Sequence, residues 1–149
     1  MANLSLKELV RYVPNIPGNK ALPPAEQISF SITAGLSTIE MSAFTKKLNA
    51  VGELSLPENP TEEQRAEFRK TQHNELNAAL ADVVKINPTE TTLEGEHITS
   101  LTQYLEAVGQ QMGWFLMKEL VSEVTRLNSL EGQRALFSER SSGGTTSTG

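Results

Sequence analysis

The sequence predicts a mainly α fold: a small helical domain of three to four amphipathic helices, with a short N-terminal strand or hairpin and a disordered C-terminal tail. Two helix-start signals and two apolar stripes carry that expectation. Ser37-Thr38-Ile39-Glu40 and Thr61-Glu62-Glu63-Gln64 each set a hydroxyl three residues ahead of a Glu or Gln. In such a capping box the hydroxyl accepts an amide N–H of the first turn, and the longer side chain accepts the N–H of the cap residue. Further on, Ile98, Leu101, Tyr104, Leu105 and Val108, then Trp114, Met117, Leu120, Val121, Val124 and Leu127, recur at the three-to-four spacing of a helix face.

In chain order, residues 1–27 read as a partly irregular lead-in. Leu4, Leu6, Leu9, Val10 and Val13 form a loose helical stripe over residues 2–13, ended by Pro14 and Pro17. Four prolines between residues 14 and 27 keep that stretch extended or irregular. The helical domain is expected over residues 28–137. It opens on Ile28-Ser29-Phe30-Ser31-Ile32, whose alternation is that of a half-buried strand. A lone strand is not stable, so residues 4–13 are its partner as a strand rather than a helix, or the partner belongs to another subunit. The sequence leaves both open.

After Gly35 comes a helix over about 38–51, with Ile39, Ala43, Phe44, Leu48 and Val51 on one face and Gly52 as its C-terminal cap. Pro57 and Pro60 mark a linker. A second helix over about 61–86 follows, burying Phe68, Leu76, Ala79, Leu80, Val83 and Val84 and stopped by Asn87-Pro88. Its first half is weakly apolar and is expected to project. Gly109 and Gly113 interrupt the last two stripes, so a bend is expected there, with room for another backbone to approach closely. From Ser138 to Gly149 the chain has almost nothing to bury and reads as a disordered tail.

Composition narrows the chemistry. The 149 residues contain no cysteine, which removes disulfides, thiolate metal sites and thiol nucleophiles. A formal net charge of -5 argues against nucleic-acid binding, which needs clustered Lys and Arg. Lys46-Lys47 reads as a solvated helix face. The longest apolar run, Trp114-Phe115-Leu116-Met117, is far short of the roughly 20 residues that span a bilayer, so no membrane association and a soluble protein are expected. The N-terminus lacks the pattern of a secretory signal.

The only two histidines, His73 and His97, lie in polar surroundings and read as solvated. Glu90 with Glu94 and Glu119 with Glu123 are read as solubilising charges, because no third ligand accompanies either pair. No cofactor, metal or catalytic residues are assigned, and no enzyme activity is expected. The one unusual feature is Met112, Trp114, Phe115, Leu116 and Met117. Neighbours on a helix point about 100° apart, so these residues cannot all face one core. A helix buried on several sides accounts for them; so does an apolar surface for another chain. Self-association satisfies both. Trp114, Phe115, Met117, Leu120 and Val121 are the expected partner-binding residues.

The layout resembles that of tail assembly chaperones of long-tailed, siphovirus-like bacteriophages, the shorter product of the frameshifted pair encoded ahead of the tape measure gene. The likeness rests on Leu22-Pro23-Pro24-Ala25-Glu26-Gln27 leading into Ile28–Ile32, the capped Ser37–Leu48 segment, the amphipathic Phe115–Leu127 segment and the polar Ser141–Gly149 tail. It covers roughly residues 22–149 and includes no motif that assigns individual functional residues. It implies a protein of the bacterial host cytoplasm that binds and solubilises the tape measure protein, helps recruit tail tube protein, and is absent from the finished virion. A structural virion protein of the tail or head–tail connector is the alternative.

Overall fold

A computed structural model describes residues 7–129. The expected 138–149 tail, and Leu4 and Leu6 of the first stripe, lie outside the described residues. In chain order the elements are strand β1 (Glu8–Tyr12), a 3-10 turn (Pro24–Glu26), strand β2 (Phe30–Ala34), helix α1 (Thr38–Glu53), helix α2 (Glu62–Ala81), strand β3 (Val84–Ile86), helix α3 (Leu101–Val108) and helix α4 (Gln110–Leu127). Four helices pack with a three-stranded antiparallel sheet in the order β1-β2-β3. The four helices and the N-terminal strand pair are as expected, but with β3 completing a three-stranded sheet the described residues form a mixed α/β fold rather than a mainly α one.

The strand expected at 28–32 runs two residues later, over Phe30–Ala34, and its partner is in the same chain. Residues 8–12 form a strand, not a helix, and pair with β2 in the register Val10↔Ile32 and Tyr12↔Phe30. On β2, Phe30, Ile32 and Ala34 are fully buried and form the floor of the core. Ser31 and Thr33 point the other way and are half-buried. Period-two alternation thus turns one sheet face toward the helices and leaves a polar face opposite.

The second expected helix ends five residues early. Residues 84–86 become β3, pairing Phe30↔Ile86 and Ile32↔Val84. The Thr33 amide donates to the Val83 carbonyl at 2.9 Å, and the Asn87 amide to that of Ser29 at 2.9 Å, extending the ladder at both ends. Val83 and Val84 are buried as expected, but β-branched residues beside an open strand edge gain more as strand than as a last helical turn.

Both capping boxes form. The Glu40 amide donates to Ser37 Oγ at 3.1 Å and the Ser37 amide to Glu40 Oε1 at 3.1 Å; the Gln64 amide donates to Thr61 Oγ1 at 3.1 Å and the Thr61 amide to Gln64 Oε1 at 2.9 Å. Ile39 is 82% exposed and does not join the buried face of α1. Leu36 and Met41 instead occupy the staple positions of that cap, both partly buried against the core. Gly52 lies inside α1, whose C-cap is Leu54. Residues 61–67 are exposed, as expected of a projecting start to α2. The expected bend is at Gly109, where φ of +82° ends α3 and starts α4. Gly113 is the close approach: a Cβ there would lie 3.3 Å from Leu105 Cδ2.

Polar anchors fix the irregular segments. Asn19 is buried; its side-chain amide donates to the Ile28 carbonyl and accepts from the Ile28 amide, both at 2.8 Å, doing for the proline-rich lead-in what a strand would do. Asn128 accepts from the Leu36 amide at 2.9 Å and donates to the Thr33 carbonyl at 3.0 Å, tying the end of α4 to the β2–α1 turn. No helix among the described residues is long and apolar enough to cross a membrane.

Candidate functional site

The five residues expected to bind a partner divide by the face of α4 they occupy. Met117 and Leu120 are fully buried in the core, so neither reaches a partner in this fold. Both sit on the α4 stripe that meets the sheet and α2, together with Leu116 and Val124, and that stripe is covered by the chain itself. Trp114 and Val121 are partly buried at its margin. Phe115 is 58% exposed, and Met112, one turn earlier, is 56% exposed. The 100° step between neighbours thus separates core from surface within four residues.

Two clefts meet at Trp114. One, of about 600 Å³, is lined by Arg69, Gln72 and His73 of α2 and by Gln110, Gln111, Trp114 and Phe115 of α4. The second, of about 400 Å³, is lined by Leu48, Val51 and Gly52 of α1, Gln72 and Leu76 of α2, and Trp114, Lys118, Val121 and Ser122 of α4. Gln72 and Trp114 border both, so the clefts form one groove along the α2/α4 seam. Its α2 wall is the 69, 72, 73, 76 stripe, and its α4 wall runs from 110 to 122. Spacings of three and four place such positions on one helix face. Across the Phe115 ridge lies a smaller hollow, with Ile16, Pro17, Val108 and Met112 among its lining residues.

His73 is not a solvated residue. It is half-buried, with its ring centroid 5.5 Å from that of Trp114 at a 36° tilt. Burial lowers its pKa below the usual histidine value. Arg69, one turn back on α2, is the charged group sharing its cleft; the α4 residues there are Gln110, Gln111, Trp114 and Phe115. Because the folded-state pKa is depressed, the native state disfavours the cation. Stability is therefore retained above the unfolded histidine value of about 6.5 and lost as pH falls through the folded value. Urea midpoints measured from pH 7.5 down to pH 5 are expected to fall more for the wild type than for His73→Gln. Equal slopes would remove His73 from the account. His97 is exposed.

Glu119 has a role the sequence did not reveal. Tyr12 donates its hydroxyl hydrogen bond to Glu119 Oε2, and the Asn15 amide donates to the same oxygen at 3.1 Å. Burial, reinforced by this carboxylate, pushes the Tyr12 hydroxyl well above its ordinary pKa. The pair fastens β1 and the lead-in to α4, so Glu119 is a structural anchor, while Glu123 pairs with Arg126 on the same helix. No local spacing signals a contact between residues more than a hundred positions apart. Among the described residues, no group of three or more His, Asp or Glu is placed to hold a metal ion.

Comparison with protein-family models, curated proteins and solved structures finds no match to this chain.

Proposed function

We propose that the α2/α4 groove holds an amphipathic helical segment of another protein, and that the protein serves as a phage tail assembly chaperone whose client is the tape measure protein. The observation that carries the docking role is the groove itself: Trp114 at its centre, Phe115 at one side, and Leu48, Val51, Leu76 and Val121 in its apolar half. A partner helix would bury its apolar stripe there by helix-in-groove packing. Exposed Phe115 and Met112 extend the apolar surface past the groove's edge. The choice of client rests on the layout of residues 22–149. A tape measure chain is long and helical, so many weakly bound copies along it would act through avidity.

Co-expression with a long helical tape measure protein tests both parts. The expected result is a soluble complex recovered by pull-down, where the long protein alone is insoluble. Phe115→Asp is expected to fold and to lose that solubilising activity, because a carboxylate would have to be desolvated in the contact. A folded Phe115→Asp variant that solubilises as well as wild type would overturn the docking surface. Presence of the protein in purified virions would overturn the chaperone role in favour of a structural one.

A further inference from the structure

The groove has one sign of charge. The chain carries 18 acidic and 13 basic residues, yet among the described residues no Asp or Glu lines either cleft. The charged side chains at the edges are Arg69 on α2 and Lys118 on α4, and three glutamine amides supply most of the remaining polar lining. Both cations are exposed, and neither forms an ion pair among the described residues. The α4 wall from Gln110 to Ser122 is about 18 Å long at 1.5 Å per residue, which suits roughly three turns of a helical occupant.

We infer that the groove selects amphipathic helices whose polar flanks are acidic. The apolar stripe of such a helix covers Trp114 and Val121, and carboxylates on its two flanks meet Arg69 and Lys118. This rests on the docking role proposed above and adds the chemistry of the ligand. The net charge of -5 sharpens the inference, since the long-range field of the whole molecule favours basic ligands. A preference for acidic flanks can then come only from the groove's own edges.

Trp114 is the single tryptophan of the chain, so its emission reports this groove alone. The full chain is titrated with two tryptophan-free synthetic helical peptides that share one Leu/Phe stripe, one with Glu flanks and one with Lys flanks. The acidic peptide is expected to bind about tenfold more tightly at low salt, as two exposed ion pairs allow. The gap is expected to close near 1 M salt, where the screening length falls to about 3 Å. Arg69→Glu with Lys118→Glu, both at exposed helix positions and checked by circular dichroism, is expected to reverse the order. Equal binding of the two peptides, or tighter binding of the basic one by wild type, would overturn the charge selection and leave the groove as a docking site. Binding of neither peptide would overturn both.

Discussion

Phe30→Ala is expected to destabilise the protein by about 3–5 kcal/mol, the range for removing a fully buried phenylalanine. The side chain is completely shielded on the central strand. Its ring meets that of Tyr104 edge to face, with centroids 5.6 Å apart and planes at 80°, an arrangement worth about 0.5–1.5 kcal/mol beyond area alone. The backbone there is held on both sides, since Tyr12 pairs with Phe30 from β1 and Ile86 from β3, which limits how far the site can collapse. A cavity at that point removes the Phe30–Tyr104 contact between β2 and α3. The melting temperature should drop by roughly 6–20 °C for a domain of this size. Phe30→Leu, which keeps most of the volume, should recover much of the loss. A shift under a few degrees for Phe30→Ala would show that the sheet is not the floor of the core.

How much of this was legible follows from the range over which each signal acts. Both capping boxes were readable because every atom involved lies within four residues. A strand near residue 30 was readable because two serines alternate with three large apolar residues, although it runs over Phe30–Ala34 and not 28–32. Its partner was not, since Leu9 and Val10 fit a helical stripe as well as a strand, and only the presence of β2 alongside decides. The same holds at Val83 and Val84: their spacing from Ala79 and Leu80 continues a helix face, and the open edge of β2 claims them instead. Ile39 shows the converse error. Its hydrophobicity suggested burial, but the cap at Ser37 fixes the helix phase so that position 39 points outward and Leu36 and Met41 turn in.

The groove divides along the same line. The sequence showed that residues 112–117 cannot share one face. It did not show which face the rest of the chain covers, because that depends on where α2 and the sheet lie against α4. Glu119 and His73 were misread for this reason too: each is defined by a partner from a distant element, Tyr12 in one case and Trp114 in the other. What stayed hidden was three-dimensional adjacency, and it converted the Glu119 surface assignment into an anchor, His73 into a half-buried ring against Trp114, and two partner-binding assignments into core.

Met117→Asp is expected to abolish folding, whereas Phe115→Asp, two residues away, should leave stability within about 0.5 kcal/mol of wild type, as surface substitutions do. Met117 is fully buried within the cluster formed by α4, α2 and the sheet. An aspartate there is either ionised without a partner or protonated with its hydrogen-bonding groups unmet, and it is too short to fill the methionine's volume. The sum exceeds about 4–5 kcal/mol, against a total stability of about 5–15 kcal/mol for a natural domain. Phe115 is 58% exposed, so its replacement removes little buried area and places the carboxylate in water. Chemical denaturation followed by circular dichroism reads both variants in one experiment. The contrast decides how α4 is phased: a rotation of the helix by two residues, about 200°, would exchange the two outcomes, and a folded Met117→Asp variant beside an unfolded Phe115→Asp variant would place the docking groove on the wrong side of α4.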